Sequence, residues 1–187
     1  MLTNFLTRTF FNFRRSDSSI EAQWTRYYVE ILVSSITKTF EVFTVALVLG
    51  VFPLSFATYI SFSIIRTSAL GWHAFKSRYC SFQSILFFSI IPYLFNGLEI
   101  KLSIKILLIL FFIFVIYKYA PQKNSTRDYL SEIEKKILKK KSLIKASLLS
   151  LGLIYFSGNL ALAIFLAIMI QIIMLVPITK KIVEGKK

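Results

Sequence analysis

The sequence has 187 residues, of which 56% are hydrophobic and 16% aromatic, and a formal net charge of +14. Its mean hydropathy of +0.66 excludes an ordinary soluble domain and favours an integral membrane protein. The basic residues fall between apolar segments, where they orient a membrane protein, so the charge argues against nucleic-acid binding. A single cysteine and a single histidine exclude an internal disulfide and a Cys-based zinc cluster, and no cofactor is expected.

The N-terminal segment 1–28 mixes apolar and basic residues. Its apolar side chains recur at helical spacing, namely Leu2, Phe5, Leu6, Phe10 and Phe13. It has no continuous apolar run followed by a small-residue cleavage site, so a signal peptide is not expected. The segment predicts an amphipathic helix on the cytoplasmic surface of the membrane, bound to its lipids, and the alternative is an unstructured start.

Six apolar segments follow along the chain, and each is long enough to cross or enter a membrane. They are 31–49, 54–69, 82–97, 102–118, 143–157 and 160–178. The sequence therefore predicts an all-α polytopic membrane protein with about six transmembrane or partly re-entrant helices. All of residues 1–187 are expected to form a single membrane domain.

The distribution of positive charge predicts the orientation of these segments. Of the 23 Lys and Arg residues, 20 lie in the ranges 1–30, 66–78, 118–145 and 180–187. The alternate connections between the apolar segments are nearly free of them. Since cytoplasmic loops carry the excess of Lys and Arg, both termini, the connection 66–81 and the basic loop 119–142 are predicted to be cytoplasmic.

Two opposite charges lie inside the first predicted span. Lys38 and Glu41 are three residues apart and share one helical face, so they can neutralise each other where an isolated charge is costly. The alternative is that Glu41 faces a polar cavity and assists a reaction or binds a basic group of a substrate. The sequence leaves both interpretations open.

The basic loop 119–142 begins with Tyr119-Ala120-Pro121 and becomes strongly charged after Ser131. Ser131 followed by Glu134 has the pattern of a capping box and predicts the start of a short surface helix. Five lysines follow, at positions 135, 136, 139, 140 and 141. They are interpreted as an orientation signal that binds lipid headgroups, and the alternative is a docking surface for an acidic peptide.

The only histidine and the only cysteine, His73 and Cys80, lie seven residues apart in the connection 66–81, the predicted catalytic loop. A cysteine attacks an amide as the thiolate, and an imidazole can take its proton and return one to the leaving amine. A straight helix would separate the two by about 10.5 Å along its axis, so we expect a bend at Gly71. The alternative is that Cys80 is a small apolar residue and His73 an interfacial one.

Three further residues are candidates to support this pair. Arg66 contributes positive potential, together with Lys76 and Arg78, which favours a thiolate and attracts a carboxylate-rich peptide. Gln83 and Ser84 lie about one turn beyond Cys80 and are candidates to orient a group or to donate to an oxyanion. Both are equally consistent with polar residues that pack helices together.

These residues resemble the accessory gene regulator protein B family, which comprises bacterial membrane endopeptidases that process quorum-sensing propeptides. The shared pattern is Arg66, Gly71, His73-Ala74, Cys80 and Ser84, and later Tyr119-Ala120-Pro121 before a lysine-rich stretch. The sequence departs from the family pattern at Leu70, where a second glycine is common, and lacks a proline between Gln122 and Leu130. Loop shape and peptide specificity are therefore left open.

The resemblance implies a thiol protease in which Cys80 is the nucleophile and His73 the base and then the acid. The enzyme would remove the C-terminal part of a short propeptide, hold the remainder as an acyl-enzyme and promote its cyclisation to a thiolactone or lactone signal. The substrate would be amphipathic at its start and acidic at its end, and the family also implies a homodimer.

Two competing hypotheses remain beside the protease. One is a small transporter or channel, in which Lys38 and Glu41 would mark a polar pathway. The other is a noncatalytic membrane scaffold that recruits lipid or protein through its lysine-rich loop. Neither requires Cys80, so the cysteine separates both from the protease.

Overall fold

The computed structural model describes residues 20–71, 77–122 and 131–176. These residues form six helices, and none of them lies in a β-strand. The helices are α1 (Ile20–Val48), α2 (Phe52–Ala69), α3 (Ser77–Ile85, Leu86–Ile90 and Ile91–Leu94), α4 (Leu102–Tyr119), α5 (Glu132–Tyr155) and α6 (Gly158–Leu175). The predicted all-α class is confirmed for this part of the chain. Of the predicted amphipathic helix, residues 1–19 lie outside the described residues, and residues 20–28 belong to α1.

Two compact units make up the chain, Met1–Val42 and Phe43–Lys187. The first contains Lys38 and Glu41, both half-buried on α1. Among the described residues these two side chains form no ion pair, because only Lys135 and Glu132 come within ion-pair distance of each other there. The mutual neutralisation expected for Lys38 and Glu41 is therefore not observed.

Two of the described helices, Leu102–Tyr119 and Gly158–Leu175, are long and apolar enough to cross a membrane. A shorter apolar helix covers Tyr79–Leu94. These features are consistent with a membrane protein. The complete set of six spans stays a prediction.

Helix α6 lies at the centre of the second unit. It is apolar on all sides, as is typical of a helix enclosed by others, and it packs against α2, α4 and α5. The main core is built from residues of all four helices, among them Ile65, Phe112, Ile116, Leu153 and Ile168. The C-terminal turn of α6 thereby reaches the end of α2, where the predicted catalytic loop begins.

A hydrogen bond attaches α3, the helix with the cysteine, to α2. Its acceptor is a carbonyl that Pro92 leaves without a helical donor. Pro92 has no N–H, so the Phe88 carbonyl four residues earlier lacks its helical donor. The buried Ser55 hydroxyl of α2 donates a hydrogen bond to this carbonyl instead. The Phe88 ring also packs against Phe62 of α2, with the centroids 5.1 Å apart. The hydrogen-bond pattern of α3 changes to that of a π-helix over Leu86–Ile90.

Helix α5 begins at the predicted capping box. The Glu134 N–H donates to the Ser131 hydroxyl at 3.2 Å, and the Ser131 N–H donates to the Glu134 carboxylate at 2.9 Å. The sequence predicted a short surface helix here and a separate span over 143–157, but α5 continues unbroken to Tyr155. No Gly or Pro interrupts residues 132–151, and good helix formers fill them. The lysine run is therefore part of a long helix.

Candidate functional site

The connection between α2 and α3 contains the predicted catalytic loop. Helix α2 ends at Ala69, and Leu70 and Gly71 then adopt φ angles of 58° and 137°. Helix α3 begins at Ser77, so the break expected at Gly71 is confirmed. His73 lies outside the described residues, and its approach to Cys80 stays a prediction.

Arg66 holds the two residues of this break, which we call the Leu70–Gly71 turn. Its Nη1 donates to the Leu70 carbonyl at 2.8 Å, and its Nη2 donates to the Gly71 carbonyl at 3.1 Å. A Cβ at position 71 would overlap the guanidinium and lie 3.0 Å from the backbone oxygen of Met174. Glycine is required here both by the backbone conformation and by the space that the guanidinium and α6 occupy.

Two glutamines from other parts of the chain complete the hydrogen bonding of the turn. The backbone N–H of Gln122 donates to the Ala69 carbonyl at 3.2 Å, directly after the Tyr-Ala-Pro motif. The Gln171 side chain, which is fully buried in α6, donates from Nε2 to the Leu70 carbonyl at 3.0 Å. The carbonyls left free at the end of α2 thus receive donors from three separate segments.

Sequence reasoning missed both glutamines. Gln171 had a detectable signal, because it is a strongly polar residue deep within the apolar helix Gly158–Leu175, and polar residues in such helices often mark functional positions. Gln122 had no such signal, since its role uses the backbone N–H that almost every residue carries.

Cys80 lies in the first turn of α3 as a half-buried free thiol. The Arg66 guanidinium is close enough to interact electrostatically with a Cys80 thiolate. The structure therefore brings together two of the predicted site residues, the cation and the nucleophile. Gly71 joins them through its carbonyl, which accepts a hydrogen bond from the same guanidinium.

The structure distinguishes the two polar residues beyond Cys80. The Ser84 hydroxyl donates to the Cys80 carbonyl at 2.9 Å, so its proton is used within the helix. The Gln83 Nε2 is buried and has no hydrogen-bond partner among the described residues. Gln83 therefore stays the candidate oxyanion donor of the two. Glu41 belongs to the first compact unit, whereas the other described site residues belong to the second.

Basic side chains of α5 lie against the same end of the second unit. Lys145 donates from Nζ to the Thr67 hydroxyl at 2.5 Å, next to Arg66 in the sequence. Lys139 lies over the ring of Tyr117, with Nζ 4.4 Å from its centroid. Lys145, on the turn of α5 that follows the lysine run, and the last turn of α2 are therefore neighbours.

Several chemical groups are available at this site. They are a thiol, a guanidinium, an amide donor and nearby ammonium groups. Within the described ranges, no cluster of three or more His, Cys, Asp or Glu residues could hold a metal ion. The groups that are present suit nucleophilic attack on a carbonyl and the binding of an acidic peptide.

Comparisons with known proteins find relatives that match most of this chain. The chain is 30% identical over 173 residues to the Accessory gene regulator protein B of Staphylococcus aureus (strain MW2), covering 91% of this chain and 90% of that protein. It is 29% identical over 187 residues to Protein FsrB of Enterococcus faecalis (strain ATCC 47077 / OG1RF), covering 99% of this chain and 77% of that protein. No solved structure matches the chain.

The family comparison covers nearly the whole sequence. The family described as Accessory gene regulator B matches residues 2–175, which include the helices and the connection that carries Cys80. The match supports the quorum-sensing role that the resemblance implied. On this coverage, the chain belongs to the accessory gene regulator B family.

Proposed function

We propose that this protein is a membrane cysteine endopeptidase that removes the C-terminal part of a short autoinducer propeptide and promotes cyclisation of the remainder. The observation that carries the proposal is the position of Cys80 in the first turn of α3, directly after the connection whose first turn Arg66 holds. The break at Gly71 supports it, because only a bent connection allows His73 to approach a sulfur seven residues away.

The proposed reaction begins with the transfer of the Cys80 thiol proton to His73. The sulfur forms a bond to the carbon of the scissile carbonyl. The oxygen of that carbonyl becomes an oxyanion and accepts a hydrogen bond from the Gln83 Nε2. The C–N bond then breaks, and His73 returns the proton to the leaving amine. A thioester between Cys80 and the N-terminal part of the propeptide remains.

Cyclisation follows by transfer within the peptide. A thiol or hydroxyl of the bound peptide attacks the thioester carbonyl, loses its proton to His73 and releases the Cys80 sulfur, which recovers a proton. A tethered nucleophile acts at a high effective concentration, so it competes with water in a sheltered site. The product is a thiolactone or a lactone, according to the attacking residue.

The proposed substrate follows from charge. An acidic C-terminal part of the propeptide would bind at the lysine run of α5, which is continuous with Lys145, the residue that contacts Thr67. An amphipathic N-terminal part would lie on the membrane beside segment 1–28.

We further propose a multi-pass topology in the bacterial cell membrane with both termini and the site on the cytoplasmic side, and a homodimer.

Expression together with an epitope-tagged propeptide, encoded by a neighbouring reading frame, tests the activity. Cys80→Ala and His73→Ala are each expected to abolish cleavage while membrane insertion is unchanged, and mass spectrometry is expected to detect a peptide adduct on Cys80. Ser81→Ala, beside the nucleophile, is the matched control and is expected to cleave normally. Full cleavage by Cys80→Ala would refute the protease and favour the transporter or scaffold.

A separate experiment tests the orientation. Lys140→Cys, introduced into a Cys80→Ala background, provides one reactive thiol on α5. Labelling only after the membrane is made permeable is expected, because the lysine run is predicted to be cytoplasmic. Labelling by an impermeant reagent applied from outside to intact cells would reverse the proposed topology.

A further inference from the structure

We propose that Gln171 is a positioning residue for the Cys–His site, acting through the Leu70 carbonyl to hold the turn that leads into His73. This inference rests on the proposed function, since it concerns the geometry of the same site. It extends that site to α6, the last described helix, which contains none of the residues predicted from the sequence.

The hydrogen bonds to Leu70 come from two different helices. Its carbonyl accepts from Arg66 Nη1 at 2.8 Å and from Gln171 Nε2 at 3.0 Å. Because a carbonyl oxygen has two lone pairs, both acceptor positions are used. Arg66 is four residues earlier, on the helix that ends at the turn, whereas Gln171 is 101 residues away. Gln171 is therefore the side chain that ties the turn to another helix.

The backbone of the turn has an unusual conformation at Leu70. Leu70 has a φ of 58°, which is rare for a bulky residue without the freedom of glycine. Such a conformation persists only where the surrounding structure holds it. Two bonds to the carbonyl of the same residue supply that restraint, and His73 follows only three positions later in the sequence.

Helix α6 also packs against the turn at a second point. A Cβ at Gly71 would lie 3.0 Å from the Met174 backbone oxygen. Gln171 and Met174 are three residues apart and therefore share one face of α6. That face contacts the turn over about one helical turn, so a shift of α6 would move the backbone that leads into His73.

The Gln171 side chain is itself enclosed within the protein. Its side chain is fully buried, and within the described part of the chain its Oε1 has no hydrogen-bond partner. An amide in that position is less favourable for packing than an apolar side chain of similar size. What the amide supplies, and a hydrocarbon does not, is the bond to Leu70.

The test uses the fact that Cys80 is the only cysteine of the chain. Its alkylation by iodoacetamide therefore reports on one sulfur in the purified full-length protein, without knowledge of the propeptide. The alkylation rate is measured from pH 5.5 to 9.5 for the wild type, His73→Ala, Gln171→Met and Gln171→Asn. Met keeps the length of the side chain and removes the amide, and Asn keeps the amide but is too short to reach.

The His73→Ala protein defines the signal, since loss of the imidazole should remove the part of the alkylation rate that persists at low pH. In both Gln171 variants the alkylation rate at low pH is expected to be about tenfold lower than in the wild type. This is the effect expected when one neutral hydrogen bond that fixes a geometry is lost. At pH 9.5 they should match the wild type. Ser150→Ala is the control, because Ser150 is buried and its hydroxyl has no partner among the described residues.

The outcomes separate the inference from the proposed function. If the wild type and His73→Ala have the same profile, the Cys–His site is refuted and the inference falls with it. If these two differ but both Gln171 variants match the wild type, only the role of Gln171 is refuted. Thermal melting measures the folded fraction, and a lower fraction with an unchanged profile per folded molecule also contradicts the positioning role.

Discussion

Replacing Arg66 tests how much of the activity depends on the Leu70–Gly71 turn and how much on positive charge beside Cys80. Arg66→Lys keeps the charge but loses the planar fork that donates at 2.8 and 3.1 Å to the two carbonyls. Lysine can replace at most one of these bonds in that geometry. Arg66→Gln removes the charge as well.

The expected magnitude follows from the two bonds. A hydrogen bond from a charged donor contributes about 1.5–3 kcal/mol, and the loss of one such bond at the turn would reduce cleavage by about 10- to 100-fold if the geometry of the site depends on it. We expect Arg66→Lys to fall in that range. Arg66→Gln should be slower still, because it also removes the electrostatic interaction with the thiolate.

The assay is cleavage of the tagged propeptide in membranes at several substrate concentrations, normalised to inserted protein. The loss should appear in kcat, with KM changed by less than about threefold, since Arg66 acts on the turn and the sulfur. Lys145→Gln is the matched control for one lost charge at the same end of the unit, and it should affect mainly KM. An Arg66→Lys protein with wild-type kcat would refute the proposed role of the fork.

Three further substitutions have definite expectations. Gly71→Ala should reduce cleavage by about tenfold or more, because the new methyl group overlaps the Arg66 guanidinium and the φ of 137° is strained for alanine; cleavage in membranes measures it. Ser55→Ala should lower the free energy of unfolding by about 1–3 kcal/mol, because it removes the donor to the Phe88 carbonyl; unfolding in detergent measures it. Gln83→Leu should lower kcat by about 100-fold, the usual effect of losing one oxyanion donor, with little change in KM.

Each of these substitutions has a matched control. For Gly71→Ala the control is Gly97→Ala, because Gly97 has a φ of 79° but no atom within 4 Å of the new Cβ. Equal losses of cleavage at both positions would point to backbone strain alone. For Ser55→Ala the control is Ser150→Ala, which removes a buried hydroxyl that has no partner among the described residues. An equal decrease in the free energy of unfolding for both variants would contradict the role given to Ser55. For Gln83→Leu the control is Ser84→Ala, which removes a hydrogen bond internal to α3. A larger decrease in kcat for Ser84→Ala than for Gln83→Leu would make Ser84, and not Gln83, the oxyanion donor.

Local features were predictable from the sequence because neighbouring residues determine them. The capping box at Ser131 and Glu134 formed as the pattern predicted, since both partners lie within one helical turn. The break at Gly71 also fell in the expected place. Likewise, the pattern around His73 and Cys80, together with the later Tyr119-Ala120-Pro121, suggested the family that the comparison then supported.

Predictions that depended on where a local pattern ends, or on which charges meet, were less successful. Helix α5 passes through the boundary expected between a surface helix and a span, because no Gly or Pro stops it. Lys38 and Glu41 share a helical face in principle, yet among the described residues they form no ion pair. Spacing permits such a contact, but side-chain conformation and surroundings decide it.

Only the tertiary structure revealed what holds the candidate site. The Ser55 hydroxyl reaches the Phe88 carbonyl across 33 residues, and the Gln171 amide reaches the Leu70 carbonyl across 101. The acceptors in these bonds are backbone carbonyls, which every residue carries and which leave no mark in the sequence. The amino-acid sequence by itself therefore determined the helical class and the break at Gly71, and it supplied the prediction of His73 and Cys80 as the reactive pair. Helix packing decided which donors meet the free carbonyls, because that depends on distances in space that the order of residues does not encode locally.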